Sequence, residues 1–182
     1  MESRSPRSSS LDSFSTARLA AERLTRDHLP EVQRMHRDAG VMAQLGGVRD
    51  EAQTAAYLAR NLQHWTDYGF GLWILRDAGG GGGGGGGGEP IGRAVLRHLL
   101  VDGVDEVEVG YAFYPAFWGR GLATEVATAC LELARRELHL ATIVAVTNPG
   151  NRASQHVLEK VGLVYERDVT HEGARSSLFR TR

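Results

Sequence analysis

One glycine-containing segment carries the residues best suited to binding a ligand. It lies between a predicted strand and a predicted helix and consists of Phe117, Trp118, Gly119, Arg120, Gly121, Leu122, Ala123, Thr124 and Glu125. Two glycines and an alanine bring bare backbone to the start of the helix, where several N–H groups have no intrahelical partner and the helix dipole is positive. Such a turn suits a pyrophosphate. The alternative is an ordinary tight connection between strand and helix.

Two better-known phosphate motifs do not fit this chain. No Gly-Lys-Ser/Thr follows the segment, so it is not a Walker loop. Its glycine spacing and the hairpins before it exclude a dinucleotide fingerprint. The other glycine-rich stretch, ten glycines at residues 79 to 88, is followed by Glu89, Pro90 and another strand. A phosphate loop needs a fixed conformation and a following helix, so we expect a flexible hairpin loop here.

Glu108 is the candidate general base. Along the strand at residues 104 to 114, alternation places Val107, Val109, Tyr111 and Phe113 on one face and Glu108, Gly110, Ala112 and Tyr114 on the other. Burial between two valines would make the Glu108 carboxylate more basic. The alternative is a solvated strand charge, like Glu106 and Asp105.

The elements around these residues predict a mixed α/β sheet. We expect strands at residues 16–24, 70–76, 91–100, 104–114, 141–147, 163–169 and 174–180. Four helices are expected at residues 27–40, 50–68, 121–138 and 151–161. Asn151 precedes the last helix and is either its N-cap or a ligand-binding amide, and Asn148 is either a turn residue or another such amide.

Composition narrows the class of protein. The 182 residues fit one domain, predicted at residues 15 to 182 after a mobile tail at 1 to 14. The net charge of -1 gives no general attraction to nucleic acid or to an anionic membrane, so neither is an expected partner. The single cysteine, Cys130, excludes an internal disulfide, and no Cys/His spacing indicates a metal site. Without a signal or membrane segment, we expect a cytoplasmic protein.

Several motifs in order along the chain resemble the GNAT acetyltransferases, in particular the branch named after RimJ and RimL. The similarity covers about residues 16 to 179. The matching residues are Thr16 to Leu19, Gly69 to Trp73, Gly110 and Tyr111, Trp118 to Glu125, and Asn151, Ser154, Glu159, Lys160 and Gly162.

The resemblance implies a mostly antiparallel, twisted sheet with a central splay, flanked by about four helices. It implies acetyl-CoA as co-substrate, direct transfer to a primary amine, and a monomer or homodimer. The implied cofactor-binding residues are Tyr111, Ala112, Phe113, Trp118, Gly119, Arg120, Gly121, Leu122, Ala123, Thr124, Asn148, Asn151 and Ser154. Backbone N–H groups of 119–124 would hold the pyrophosphate, and one near 111–113 would bind the thioester carbonyl. Ser154 would bind the pantetheine or the thiol, which makes it a candidate catalytic residue beside Glu108. The alternative for Ser154 is a helix residue one turn from a cap.

Two features depart from the family pattern. Leu158 occupies the position where relatives often carry a tyrosine that protonates the leaving thiolate, and Trp118 replaces a common Gln or Arg. Because this tyrosine is missing, a non-catalytic acyl-CoA-binding module is the second hypothesis. A nucleotide-binding protein that uses the glycine turn is the third. Acceptor choice is expected to reside in the loop at 40–49, the helix at 50–67, which carries His64 and Trp65, and the C-terminal hairpin. His28, His36 and His139 are expected at the surface.

Overall fold

A computed structural model describes residues 11–79 and 88–182, and its frame is one eight-stranded sheet. The strands are β1 Ser13–Ser15, β2 Leu19–Arg23, β3 Leu72–Asp77, β4 Pro90–Val101, β5 Val104–Phe113, β6 Val144–Thr147, β7 Leu163–His171 and β8 Ala174–Thr181. Their order is β1-β2-β3-β4-β5-β6-β8-β7. Neighbours are antiparallel except β5 and β6, which are parallel. This is the mixed, mostly antiparallel sheet that the sequence predicts.

Five α-helices in the described residues flank the sheet: α1 Leu29–Arg37, α2 Ala39–Met42, α3 Glu51–Tyr68, α4 Leu122–Arg136 and α5 Arg152–Lys160. Helix α3 shows why its ends are readable from sequence. The Asp50 side chain accepts from the N–H of Gln53, and the Gln53 side chain accepts in return from the N–H of Asp50. At the other end Gly69 adopts φ 73°, a left-handed conformation that favours glycine.

The sheet opens between β5 and β6, which confirms the predicted splay. The two strands pair at a single position, Glu108 with Val144. On its other side β5 stays in continuous register with β4, down to Phe113 opposite Gly92. The approach there is close, because a Cβ on Gly92 would lie 2.5 Å from the carbonyl oxygen of Ala112. The edge of β5 beyond Glu108 therefore faces an opening instead of a strand.

The main core lies between the sheet and its helices. Trp73 and Leu75 on β3 are completely buried, as are Val126 and Cys130 on α4. Burial raises the pKa of the Cys130 thiol to about 12, so the thiol is protonated at neutral pH and serves as a small packed side chain.

Two boundaries differ from the sequence prediction. The mobile tail was expected to extend to residue 14, but β1 pairs with β2, and the Phe14 ring packs edge-on against Trp73 at 5.4 Å between centroids. The helix expected at residues 27–40 is divided into a short 3-10 turn, α1 and α2. The division occurs because Asp38 is extended and its side chain accepts from the N–H of Val41, which begins α2. Gly40 therefore lies inside a helix instead of ending one.

The predicted glycine loop at residues 79 to 88 lies outside the described residues apart from its two ends. The strands that it joins, β3 and β4, do pair as an antiparallel hairpin. Within residues 11–79 and 88–182, no helix combines the length and apolar character needed to cross a membrane.

Candidate active site

Two adjoining cavities occupy the opening between β5 and β6. The first has a volume of about 500 Å³ and reaches the start of α4. The second has a volume of about 390 Å³ and lies over the paired ends of β5 and β6. The residues that line both cavities are Gln44, Leu45, Tyr111, Asn151 and Ser154. One ligand in each cavity would therefore meet its neighbour at this shared wall.

The start of α4 supplies hydrogen-bond donors to the first cavity. Gly119 and Gly121 adopt φ of 73° and 76°, and Gly121 is the N-cap. The N–H groups of the first turn of α4, at residues 122 to 124, have no intrahelical acceptor, and no side chain within the described part of the chain caps them. These donors and the positive end of the helix dipole favour an anionic group.

The beginning of β2 holds this turn in place from behind. The Arg18 side chain donates to the carbonyl of Arg120 at 2.8 Å and to the Glu125 carboxylate at 2.7 Å. Thr16 and the Arg18 N–H donate to the same carboxylate. Partial burial raises the pKa of Glu125, but these hydrogen bonds and the Arg18 charge outweigh it and leave the pKa below its ordinary value. Glu125 is therefore ionised at neutral pH and fixes the first turn of α4.

The free edge of β5 supplies further donors. The N–H of Tyr114 donates to Ile91 of β4 at 3.0 Å, so by alternation the N–H groups of Tyr111 and Phe113 point toward the opening. Because β6 pairs with β5 only at Glu108, these two groups have no strand partner among the described residues. The Trp118 indole N–H donates to the Phe113 carbonyl at 2.8 Å and closes this edge.

Most of the predicted cofactor-binding residues lie together in the first cavity. Those lining it are Tyr111, Ala112, Phe113, Trp118, Gly119, Gly121, Leu122, Ala123, Thr124, Asn151 and Ser154. Asn148 lines the second cavity. Arg120 is not among the described residues that line either one, because its guanidinium lies over the Phe117 ring, 5.1 Å from the centroid.

Tyr111 contributes a hydroxyl that the sequence analysis did not consider. Its oxygen lies 3.2 Å from the Ser154 hydroxyl, and it donates to the Ser154 carbonyl at 3.3 Å. Burial raises the pKa of Tyr111 to about 12, although the hydrogen bond with Ser154 acts in the opposite direction. The hydroxyl is therefore a neutral proton donor at the shared wall. Strand alternation assigned Tyr111 to a face but gave no information about the α5 residue packed against it.

Both asparagines act in the local backbone. The Asn151 side chain accepts from the N–H of Ser154 at 3.1 Å and caps α5. The Asn148 side chain accepts from the N–H of Gly150 at 2.8 Å and shapes the preceding turn. The turn and cap alternatives are thus both present in the structure, and the two residues still line the cavities.

Glu108 lies in the wall of the second cavity and is only 5% exposed. It is therefore not a solvated strand charge. Arg97, its partner on β4, donates to the carboxylate and forms an ion pair with it. The sequence hypothesis placed Glu108 between apolar neighbours only, whereas the structure compensates its charge with a guanidinium.

All three regions expected to contact an acceptor contribute to the lining of the second cavity, together with residues of β4, β5 and β6. The three regions supply the loop residues 43 to 47 and Arg49, Tyr57 and Arg60 of α3, and residues 171, 172 and 174 to 176 of the C-terminal hairpin. His64 takes no part, because it donates to the Phe70 carbonyl and accepts from the N–H of His98, which ties α3 to the sheet. Trp65 is a core residue, 2% exposed.

The expectation of a surface position for His36 is wrong. Its side chain is 1% exposed and packs against the ring of Tyr57. Arg49 donates to Nε2 at 3.3 Å, so Nδ1 carries the proton toward Thr54, 3.0 Å away. Burial, and then the charges of Arg49 and Arg93, lower the pKa of His36 to about 4. The neutral ring thus supports one wall of the second cavity.

We predict that acid destabilises the protein through His36. A histidine in the unfolded chain has a pKa near 6.5. Between pH 6.5 and about 4, His36 is therefore protonated in the unfolded chain and neutral in the folded protein. The free energy of unfolding should fall by roughly 3 kcal/mol over this interval from His36 alone. Urea unfolding at pH 7 and pH 4.5 measures it, with His36→Gln as the comparison that removes this contribution. Equal losses in both proteins would contradict the assignment.

Comparisons with known proteins agree with this geometry. Residues 18–164 match the family described as acetyltransferase (GNAT) domain. The chain is 31% identical over 132 residues to YkkB, an uncharacterised protein of Bacillus subtilis strain 168, covering 72% of this chain and 73% of YkkB.

Solved structures share the fold along nearly the whole chain. An acetyltransferase from Agrobacterium tumefaciens superposes with a TM-score of 0.79 at 25% identity, covering 99% of each chain. RimL, a ribosomal L7/L12 alpha-N-protein acetyltransferase solved in complex with coenzyme A, superposes with a TM-score of 0.71 at 14% identity, covering 91% of this chain and 94% of RimL. The fold neighbours thus include RimL, in agreement with the predicted RimJ/RimL-like resemblance.

Proposed function

The chain belongs to the acetyltransferase (GNAT) domain family, and on that premise we propose that it transfers an acetyl group from acetyl-CoA to a primary amine. The observation that carries the proposal is the pair of donor sets in one cavity. The unpartnered N–H groups at the start of α4 face one end, and the free edge of β5 lies at the other. Residues 15 to 182 would form the catalytic domain.

The residues present suit the co-substrate. The N–H groups of the turn from Gly119 to Thr124 would hold the pyrophosphate, and the β5 edge would pair with the amide groups of the pantetheine arm. The N–H of Tyr111 or Phe113 would donate to the thioester carbonyl, whose oxygen gains charge as the amine attacks. A donor aimed at such an oxygen lowers the activation free energy by about 3 kcal/mol.

The two proton transfers use one group of the second cavity, Glu108, and one group of the shared wall, Tyr111. The amine nitrogen forms a bond to the carbonyl carbon and gives its proton to Glu108, directly or through water. The bond from carbon to sulfur breaks, and the sulfur takes a proton from the Tyr111 hydroxyl. The resulting tyrosinate recovers a proton from water and Glu108 releases its proton to water, so both groups return to their starting states. Leu158 lines the second cavity and has no proton to give. Tyr111 on β5 would therefore protonate the leaving thiolate, as a tyrosine on the last helix often does in relatives.

Binding and turnover together test the proposal. Calorimetry should show CoA binding, and a thiol-release assay with acetyl-CoA and a panel of amines should show turnover. Gly119→Ala should weaken CoA binding at least about tenfold, because the turn backbone shifts. Gly103→Ala is the matched control, since Gly103 has a similar φ of 81° and an equally open surrounding but lies in the β4–β5 turn.

The outcomes separate the candidate functions. CoA binding without turnover on any amine would favour a non-catalytic acyl-CoA-binding module. Absence of CoA binding would overturn both acyl-CoA functions, and displacement of CoA by ATP at equal affinity would favour the nucleotide-binding alternative.

Glu108→Gln tests the base. Turnover should fall about 100-fold or more, while CoA affinity changes less than about threefold, since general bases typically contribute factors of this size. Glu106→Gln is the control, because Glu106 lies on the same strand and also loses an arginine partner, Arg180, without lining either cavity. An unchanged rate in Glu108→Gln would remove Glu108 from the mechanism.

Tyr111→Phe tests the acid. The variant keeps the ring but loses the donor, so turnover should fall by about tenfold or more with CoA affinity retained. Tyr165→Phe is the control, since Tyr165 is half exposed on β7 and packs on Phe179. Equal turnover in Tyr111→Phe and the parent protein would show that the thiolate leaves without help from this hydroxyl.

A further inference from the structure

The second cavity is strongly cationic. Five arginines line it: Arg49, Arg60, Arg93, Arg97 and Arg175. Among the described residues, only two carboxylates, Glu108 and Glu172, line it with them. The whole chain is close to neutral, so this excess of positive charge is a local feature of one cavity.

Protein carboxylates neutralise only part of this charge. Arg97 pairs with Glu108, and Arg175 pairs with Asp168 at 2.5 Å. Arg49, Arg60 and Arg93 form no ion pair with any carboxylate among residues 11–79 and 88–182. Among the described residues, three guanidinium groups in one concave wall thus lack an ion-pair partner, and Glu172 attracts Arg49 only from a greater distance.

Two of these groups converge on one aromatic ring. The guanidinium carbons of Arg49 and Arg93 lie 5.0 Å and 5.5 Å from the centroid of Tyr57. Burial lowers the pKa of Arg49, and the charges of Arg93 and Arg60 lower it further. Tyr57 and the Glu172 carboxylate act in the opposite direction, but the pKa stays below its ordinary value. Holding two like charges this close costs free energy, which a bound anion would offset.

The same corner lacks acceptors. Arg93 Nε and the Tyr57 hydroxyl are buried and have no hydrogen-bond partner among the described residues. Tyr57 is only 4% exposed. Buried donors without acceptors are uncommon and point to a missing partner. A carboxylate supplies acceptor oxygens for a guanidinium fork and for a phenol hydroxyl at once.

The position of this corner relates it to the reaction. Arg93 and Arg97 lie on the face of β4 that carries Glu108 across the strand pair, since Arg97 is opposite Glu108 and Arg93 is opposite Ala112. Residues 93 and 97 are about 13 Å apart along an extended strand. The cationic corner is thus within the length of a small molecule from the candidate base.

We propose that the acceptor is an amine that also bears an anionic group, a carboxylate, which Arg93, Arg49 and Tyr57 bind in the second cavity. This inference rests on the proposed acetyl transfer. The amine would face Glu108 and the shared wall, and the anion would occupy the cationic corner. The arginines therefore determine specificity, whereas Glu108 and the shared wall perform the chemistry.

The test compares acceptors that differ only in charge. A series of ω-amino carboxylates of increasing chain length is assayed beside the corresponding carboxamides and phosphonates. At the best length, kcat/KM for the carboxylate should exceed that for the carboxamide by at least about 30-fold, as expected for charge-assisted hydrogen bonds. A phosphonate that surpasses the carboxylate would overturn the carboxylate assignment while retaining an anion site.

Variants connect the preference to its residues. Arg93→Gln should lower kcat/KM for the carboxylate about tenfold or more and leave the carboxamide rate and CoA affinity within about threefold. Arg93→Lys should recover part of the loss, and Arg37→Gln, an exposed arginine paired with Glu51, should change neither rate. Thermal unfolding of each variant checks that the fold persists.

The two proposals fail in different ways. If carboxylates and carboxamides are acetylated equally well by the parent protein, the anionic acceptor is excluded while acetyl transfer stands. If CoA binds and no amine of any charge is acetylated, acetyl transfer itself is excluded, and the inference fails with it.

Discussion

The site depends on the single pairing between Glu108 and Val144. Had β5 and β6 paired over their full length, the N–H groups of Tyr111 and Phe113 would be used inside the sheet and no opening would exist. Because they separate after one residue pair, the sheet gains a cavity at its centre with hydrogen-bonding edges already in place. The β6 side is held by β8, and the β5 side by β4, so the opening is a fixed property of the fold. Glu108 lies at its closed end, in the wall of the second cavity.

A second constraint ties the start of the described chain to the start of α4. Thr16 and Arg18 act on Glu125 and on the Arg120 carbonyl, more than a hundred residues away. The resemblance noted at residues 16 to 19 therefore has a structural explanation: Thr16 and Arg18 hold the glycine turn from outside the two cavities. The turn itself needs left-handed glycines, so its position has to be set by contacts from outside.

The sequence predicted those parts of the fold that depend on local rules. The ends of α3 follow from Asp50, Gln53 and Gly69, and the glycine turn follows from Gly119 and Gly121. The features that the sequence did not predict are contacts between residues far apart along the chain. Nothing near Phe14 indicates that it packs on Trp73, and nothing near His36 indicates that Arg49 and Thr54 enclose it. The pairing of Glu108 with Arg97 depends on register across a hairpin, and the Tyr111 contact with Ser154 depends on how α5 packs on β5. Periodicity assigns a residue to a face but does not identify its neighbour.

The three tryptophans differ sharply in their access to solvent. Trp65 and Trp73 are enclosed, whereas Trp118 is 57% exposed at the rim of the first cavity. A water-soluble collisional quencher therefore reduces the emission of Trp118 and leaves that of Trp65 and Trp73 unchanged. The Trp118 fluorescence can thus be separated from the rest without a label. Because the Trp118 N–H is fixed to the Phe113 carbonyl, its ring stays at the rim. The protein thus carries an intrinsic optical probe at the mouth of its cleft, and protection of that emission would report when the cleft is occupied.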